Sequence, residues 1–260
     1  MDPETQIFHE AKDKALFDQI ADHYARKDVI ASTRLARQAI VRRATHPVIK
    51  TKGSLGILVD VGCGMGAQAA YLDSHFERYI GIDYSDGLVE IGRQSFVDRD
   101  DIEFIVSNVK NEDLPEGIAD TVLVVGALHH MVDLNEVMEA LQRIAKPGAH
   151  FIAIEPQRGN PLIQGMRRAR VKLDRQYSPD QHFFSQQELL GILDLVPMSE
   201  KRVEYQGFLT PPFGQAGVRP QSVFLPLSYV ACFLEPLAER LCVGPLAPLS
   251  WNAVAYGRFH

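Results

Sequence analysis

Five short apolar segments recur along the first 160 residues, and each ends at a polar or glycine-rich turn. The segments are 57–61, 79–83, 102–106, 120–125 and 150–155. Apolar runs of this length, bounded by turn residues, predict buried strands. The stretches between them carry apolar residues at helical spacing, as in 134–145. The pattern therefore predicts an α/β fold with a mostly parallel sheet and helices on both faces.

The flanking regions complete this prediction. Residues 5–45 indicate two helices, the second ended by His46-Pro47, because the residue before a proline avoids the helical conformation. Ser185 begins a capping box, and strands are predicted at 201–205 and 251–259. The result is a seven-stranded sheet whose last strand is antiparallel. We divide the chain into an N-terminal helical cap (1–50), a core (51–206 plus 251–260) and a helical insertion before the last strand (207–250).

The first apolar segment runs directly into a glycine-rich turn. The sequence reads Ile57-Leu58-Val59-Asp60-Val61-Gly62-Cys63-Gly64-Met65-Gly66, and a helix-forming run begins at Ala67. Glycines allow a tight turn and let a ligand approach the backbone. A strand, a glycine turn and a helix in this order form the first unit of a nucleotide-binding sheet, with the ligand at the helix N-terminus.

The glycines alone do not choose between two cofactor classes, because Gly62, Gly64 and Ala67 also match the loose dinucleotide pattern G-x-G-x-x-G/A. Asp60 favours one class. A carboxylate at this strand end would repel a pyrophosphate and attract a ligand that carries an ammonium and a sulfonium. Asp83 ends the second strand, where a carboxylate can accept hydrogen bonds from the ribose of either cofactor.

Two adjacent histidines, His129 and His130, follow the fourth segment. Loops after the carboxyl ends of parallel strands carry the site in such sheets, so both are placed for acid–base chemistry or for a hydrogen bond within the loop. A metal site is disfavoured, because adjacent histidines point in different directions and no third ligand stands at regular spacing. We predict both histidines as catalytic candidates and no bound metal.

Several strings resemble the class I S-adenosylmethionine (SAM) methyltransferases, in particular the small-molecule type that includes ubiquinone and menaquinone biosynthesis enzymes. The acid and glycine turn are similar to motif I, Asp83 to the motif II acid, and Leu128-His129-His130 to an L-H-H motif. Residues 141–148 resemble L-x-R-x-L-K-P-G-G, and residues 17–24 resemble an F-D-x-I-A-x-x-Y entry segment. Asn108 departs from the aspartate that is usual there. The resemblance implies a Rossmann-like fold and methyl transfer from SAM to a small, apolar or amphipathic acceptor.

The resemblance also implies the contacts of the cofactor. Asp60 and the glycine-turn backbone would hold the methionine end, Asp83 the ribose, and Asn108 with Val109 the adenine. The full set of implied cofactor-binding residues is Asp60, Gly62, Cys63, Gly64, Gly66, Asp83, Tyr84, Asn108, Val109, Gly126 and Ala127. Tyr24, Glu155 and Arg158 are the candidates for contact with the acceptor, and either histidine would act as the base.

The overall charge and the cysteine content limit which substrates and which cellular compartment are expected. The net charge of −6 and the pI near 5.8 disfavour a nucleic-acid substrate. Three cysteines without a C-x-x-C pair indicate reduced thiols and a cytoplasmic protein, and the acidic, polar N-terminus shows no signal peptide.

The insertion at 207–250 is rich in proline and strongly apolar, notably from Val223 to Leu234. It is too short and too broken to predict a bilayer span. A lid over an apolar acceptor, a membrane or lipid contact, a homodimer seam and an ordinary core helix all remain open. The alternatives to methyl transfer are an NAD(P)-dependent oxidoreductase and a non-catalytic SAM-binding protein.

Overall fold

A computed structural model describes Lys14, Ala15, Asp18 and residues 30–161, 163–165, 183–215 and 219–260. Its centre is one seven-stranded sheet in the order β3-β2-β1-β4-β5-β7-β6. The strands are β1 Ile57–Val61, β2 Arg78–Asp83, β3 Ile102–Val106, β4 Ala119–Val125, β5 Ala145–Pro156, β6 Met198–Gln206 and β7 Asn252–Phe259. The first five pair in parallel, and β7 is antiparallel to both of its neighbours. The predicted mostly parallel, Rossmann-like sheet with an antiparallel last strand is confirmed.

Helices cover both faces of this sheet. They are α1 Ala31–Lys52, α2 Ala67–Tyr71, α3 Asp86–Ser95, α4 Leu134–Ile144, α5 Gln186–Leu193, α6 Pro211–Gln215 and α7 Gln221–Leu241, with short 3₁₀ helices at Leu128–His130 and Gly244–Leu249. Three side-chain caps form, including the one predicted at Ser185: the side chains of Ser85, Asp133 and Ser185 accept hydrogen bonds from the first turns of α3, α4 and α5. Ser185 and Glu188 close the complete capping box.

Two apolar cores lie on opposite faces of the sheet. One joins α4 and α5 to side chains such as Val122 and Phe151, and the other joins α1 and α2 to side chains such as Leu58 and Ile152. Alternate residues of a strand point to opposite faces, so a strand buried on both sides is mostly apolar. This explains why the central segments, such as 57–61 and 120–125, are largely apolar runs, whereas the edge strand β3 carries the exposed Glu103.

Helix α1 does not end at His46-Pro47, and this prediction was wrong. The helix continues through Pro47 to Lys52 and ends at Gly53, whose positive φ of 82° suits a left-handed terminal residue. Val48 is buried in the core beyond the proline. Packing of this last turn against the sheet therefore outweighs the backbone hydrogen bond that a proline cannot donate.

Candidate active site

The strand order places the predicted residues along one edge of the sheet. Because β1 to β5 are parallel, the segments that follow their carboxyl ends lie side by side. The chain reverses its direction of winding at β1, which pairs with β2 on one side and β4 on the other. A crevice at such a switch point is the usual ligand site of an open α/β sheet. The glycine turn and the histidine loop flank this crevice.

The glycine turn is fixed by close contacts. Gly62 has φ of +72°, and a Cβ on it would lie 2.4 Å from the methyl carbon of Ala127. Gly66 has φ of +75° and meets the ring of Phe104 in the same way. A Cβ on Gly64, in contrast, would have one neighbour, 3.8 Å away, and one on Gly126 would have none within 4 Å. Two glycines therefore close the turn against the protein, while two leave backbone open on the crevice side.

Asp60 is fully buried at the end of β1. Its Oδ2 accepts a 2.6 Å hydrogen bond from the Tyr79 hydroxyl, whereas its buried Oδ1 has no hydrogen-bond partner within the described part of the chain. Burial raises the pKa of Asp60 to about 7; the Tyr79 hydrogen bond opposes this shift, and the neighbouring Asp83 adds to it. An unpartnered buried carboxylate oxygen is costly unless a cation or a donor satisfies it. Tyr79, which the sequence analysis did not select, is therefore part of this arrangement.

Asp83 ties the glycine turn to the second strand. Its Oδ2 accepts from the Gly64 amide at 2.8 Å and its Oδ1 from the Ser85 amide at 2.9 Å. Burial raises the pKa of Asp83 above its ordinary value, and these two amides oppose the shift. Asp18 reaches the same place from the N-terminal segment, since its Oδ1 accepts from the Ser85 hydroxyl at 2.5 Å and the Gly87 amide at 3.2 Å. Asp18 is the aspartate of the F-D-x-I-A-x-x-Y segment, and its position in that segment is the sequence feature that could have identified it as a site residue.

The histidine loop is held by one carboxylate. Glu155 is completely buried, and its Oε1 accepts from the amides of Ala127 and Leu128 at 3.0 and 2.8 Å. Its Oε2 lies 2.7 Å from Nδ1 of His129, whose ring stacks near His130 with 4.2 Å between centroids. Glu155, predicted as an acceptor contact, thus lies behind His129 with both carboxylate oxygens already engaged.

The other predicted residues occupy several environments. Cys63 is buried, and burial raises the pKa of its thiol well above the ordinary value, which fits a packing residue rather than a nucleophile. Tyr84, Asn108 and Val109 follow β2 and β3 at the crevice edge; Val109 is buried and the other two are half-buried.

Arg158, a second acceptor-side candidate, is exposed and pairs with Glu188 at 3.1 Å. The third candidate, Tyr24, lies outside the described residues. Among the described residues, no group of three or more His, Cys, Asp or Glu side chains is arranged to hold a metal. Met131 is a residue that the sequence analysis missed: its methyl carbon lies 3.6 Å from the Cβ position of Gly62.

Comparison with known proteins agrees with this geometry. A family model described as a methyltransferase domain matches residues 59–153, the segment that contains the glycine turn, Asp83 and the histidine loop. Residues 59–153 of this chain therefore carry a methyltransferase domain, within the fold of the SAM-dependent methyltransferases. Its cofactor is S-adenosylmethionine.

Two curated relatives of the methyltransferase domain are demethylmenaquinone methyltransferases. The chain is 26% identical to that of Clavibacter sepedonicus over 144 residues, which is 54% of this chain and 56% of the relative. It is 25% identical to that of Anoxybacillus flavithermus over 210 residues, which is 78% of this chain and 85% of the relative. The chain thus spans little more than half of the first relative and most of the second.

Solved structures share the fold of the methyltransferase domain. A SAM-dependent methyltransferase of Thermotoga maritima, described as a possible histamine N-methyltransferase, superposes with a TM-score of 0.64 at 18% identity, covering 95% of this chain and 99% of that one. Geranyl diphosphate C-methyltransferase of Streptomyces coelicolor, bound to S-adenosylhomocysteine, has a TM-score of 0.55 at 15% identity, covering 83% and 75% of the two chains.

The side chains of the crevice fit such a cofactor. A SAM molecule presents a cationic methionine end and a ribose diol. The unpartnered Oδ1 of Asp60 would complement the cationic end, and the open backbone at Gly64 and Gly126 leaves room beside it. Asp83 accepts backbone hydrogen bonds from Gly64, Ser85 and Tyr84, and because a carboxylate offers about four lone-pair sites, it could also accept one from a ribose hydroxyl.

Proposed function

We propose that the protein transfers a methyl group from SAM to a small, apolar or amphipathic acceptor of the lipid-quinone kind, at an oxygen, carbon or nitrogen atom, in the cytoplasm. The His129–Glu155 contact carries this proposal, since an imidazole held by a carboxylate after β4 would serve as an oriented base. Two observations favour the acceptor class. The curated relatives are demethylmenaquinone methyltransferases, and the end of the apolar insertion, at residues 248–250, is bonded to Gln157 and Asn160 just after β5. We include a lipid contact through residues 207–250; a homodimer there is the alternative.

The protein supplies alignment and proton removal. When bound, SAM supplies an electrophilic methyl group on a sulfonium. Asp60 would hold its cationic end, Asp83 its ribose, and Asn108 with Val109 its adenine. Holding the reacting groups in line is worth up to ~7–11 kcal/mol. The glycine turn packs against Ala127 of the histidine loop, which fixes the cofactor side relative to the base.

Glu155 sets the tautomer of His129. A carboxylate can only accept a hydrogen bond, so Nδ1 of the ring carries the proton that it donates to Glu155. In the neutral ring, Nε2 then keeps its lone pair and can take a proton from an acceptor O–H or C–H group as the methyl bond forms. The Glu155 carboxylate stabilises the resulting imidazolium. Glu155 is therefore a positioning residue, and its two backbone hydrogen bonds hold the loop in place.

The direct test is transfer of radiolabelled methyl from SAM to a short-chain demethylmenaquinol and to a bacterial lipid extract. We expect an apolar labelled product. Glu155→Gln should lower kcat by ~10²-fold or more with little change in cofactor affinity, because the amide no longer enforces the tautomer. Glu139→Gln, the same isosteric change at an exposed position of α4, is the matched control. Labelled product with undiminished kcat in Glu155→Gln would contradict the role of the dyad, and labelling of polar acceptors alone would contradict the acceptor class.

A further inference from the structure

Helix α7 is inverted: its polar side faces the protein and its apolar side faces outward. At ~100° per residue, the buried Ser228 and Glu235 lie within one narrow sector of the helix. The opposite ~160° arc is apolar and exposed, with Phe233 82% and Leu237 55% accessible. The apolar side chains of this outer face are Val223, Leu227, Tyr229, Val230, Phe233, Leu234, Leu237 and Leu241.

This exposure is concentrated in one place. All but three of the exposed large hydrophobic side chains among the described residues lie between 223 and 249. By length and composition α7 is the one helix in the described part of the chain that is long and apolar enough to cross a membrane, yet only 17% of its apolar window is buried. Contiguous exposed apolar surface of this kind marks an interaction site.

The polar side of α7 is bonded to the protein body along its length. Gln221 exchanges hydrogen bonds with the backbone amide and hydroxyl of Ser32, and the Ser228 hydroxyl donates to the Ser32 carbonyl at 3.1 Å. Glu235 accepts from the amides of residues 208–210, and Glu239 pairs with Arg43. A helix held in this way lies along the surface of the protein and exposes its outer face along its whole length. This arrangement does not fit a helix that spans a bilayer.

The charged side chains that α7 and its N-terminal flank present outward are cationic. Both acids of α7, Glu235 and Glu239, lie on the inner side. Arg219, one residue before the N-cap, and Arg240, at the edge of the outer arc, are exposed. Although the chain as a whole carries a net charge of −6, these two arginines are complementary to an anionic surface. An in-plane helix with an apolar face, an aromatic side chain and flanking arginines is the usual form of an interfacial membrane helix.

We propose that α7 docks the protein on an anionic membrane surface, in the plane of the lipid head groups. The following 3₁₀ helix, Gly244–Leu249, extends this surface toward the active site: it exposes Leu246 and Leu249, and its end is bonded to Gln157 and Asn160 just after β5. Glu155, which orients His129, is two residues before Gln157. Docking would therefore bring the acceptor side of the crevice close to the lipid, so the inference extends the proposed function by naming where an apolar acceptor enters.

The test is sedimentation of the full chain with phosphatidylcholine vesicles, with and without phosphatidylglycerol. We expect binding to the anionic vesicles. It should fall at least ~10-fold in Phe233→Asp/Leu237→Asp, since this change loses buried apolar contact, and ~5-fold in Arg219→Gln and in Arg240→Gln. Val97→Asp, which changes an exposed apolar side chain elsewhere (77% accessible), should bind like the unaltered protein.

Three results would overturn the inference. The first two are no binding to anionic vesicles and equal binding to neutral and anionic vesicles. The third is a self-associated protein that does not bind vesicles and becomes monomeric in Phe233→Asp/Leu237→Asp, which would make the outer face a contact between copies of the chain. Glu155→Gln should retain vesicle binding, and Phe233→Asp/Leu237→Asp should retain calorimetric SAM binding. Failure of the docking surface is therefore distinguishable from failure of methyl transfer.

Discussion

The ionisation of Asp60 should control how tightly the crevice holds SAM. Burial gives this carboxyl a pKa of about 7 in the ligand-free protein. A cationic methionine end favours the ionised form, so binding below pH 7 must first remove a proton from Asp60. If only the ionised form binds SAM, the affinity falls ~5-fold from pH 7 to pH 6 and ~50-fold from pH 7 to pH 5.

Calorimetric titration with SAM between pH 5 and pH 7 measures this directly. In this range the ammonium of the ligand stays protonated, so its own titration does not interfere. Proton release on binding would also make the measured enthalpy depend on the ionisation enthalpy of the buffer. Asp60→Asn should flatten the pH profile, because it removes the titrating group and keeps an oxygen for the Tyr79 hydroxyl. Tyr79→Phe should move the fall in affinity to higher pH, since it deletes the hydrogen bond that opposes the upward shift of the Asp60 pKa.

Two results would refute this reasoning. One is SAM affinity that does not depend on pH in the unaltered protein. The other is a full slope that survives in Asp60→Asn, which would assign the titration to Asp83, whose pKa is also raised by burial.

Two further changes test the packing that supports the site. In a urea titration, Gly62→Ala should lower the free energy of unfolding by ~2–4 kcal/mol, because its Cβ would meet Ala127 and its φ is positive. Gly117→Ala is the control, since Gly117 also has a positive φ, of +60°, but a Cβ there would have no described neighbour within 4 Å. It should lower the free energy of unfolding by ~1 kcal/mol. Equal losses would show that the Ala127 contact is unimportant. Glu235→Ala should cost ~2–5 kcal/mol and speed amide exchange at residues 208–210, since it leaves their N–H groups without the carboxylate. Exposed Glu139→Ala should cost under ~0.5 kcal/mol, and unchanged exchange in Glu235→Ala would contradict the role of the carboxylate.

The strands and the glycine turn could be predicted from sequence because their signals are local. The run from Ile57 to Val61 is apolar except for Asp60, since both faces of β1 are buried, and the glycines follow at once. Asp83 was likewise predictable, as it ends a strand at a fixed place in the βα unit. The end of α1 was not predictable, because the local effect of Pro47 opposes the tertiary packing of Val48, and only the fold shows which is stronger.

The contacts that organise the crevice depend on which strands are neighbours. Glu155 reaches His129 only because β4 and β5 pair, and Tyr79 reaches Asp60 only because β1 and β2 pair. Neither pairing is encoded in the spacing of those residues along the chain. The apolar segment within 207–250 was recognisable, but composition alone does not indicate which side of a helix is buried. The bonds from Ser228 and Glu235 to the protein body determine that.

Helix α7 is attached to the protein body by polar groups, so its attachment does not depend on its apolar face as it does in most helices. A helix that is anchored by its apolar face cannot change that face without losing stability. Here the anchoring residues and the outward residues are different sets, so substitutions at Phe233 or Leu237 leave the anchor intact. The outer face is accordingly free to diverge, and homologous enzymes could be directed to different surfaces, or released from them, with the methyl-transfer machinery unchanged.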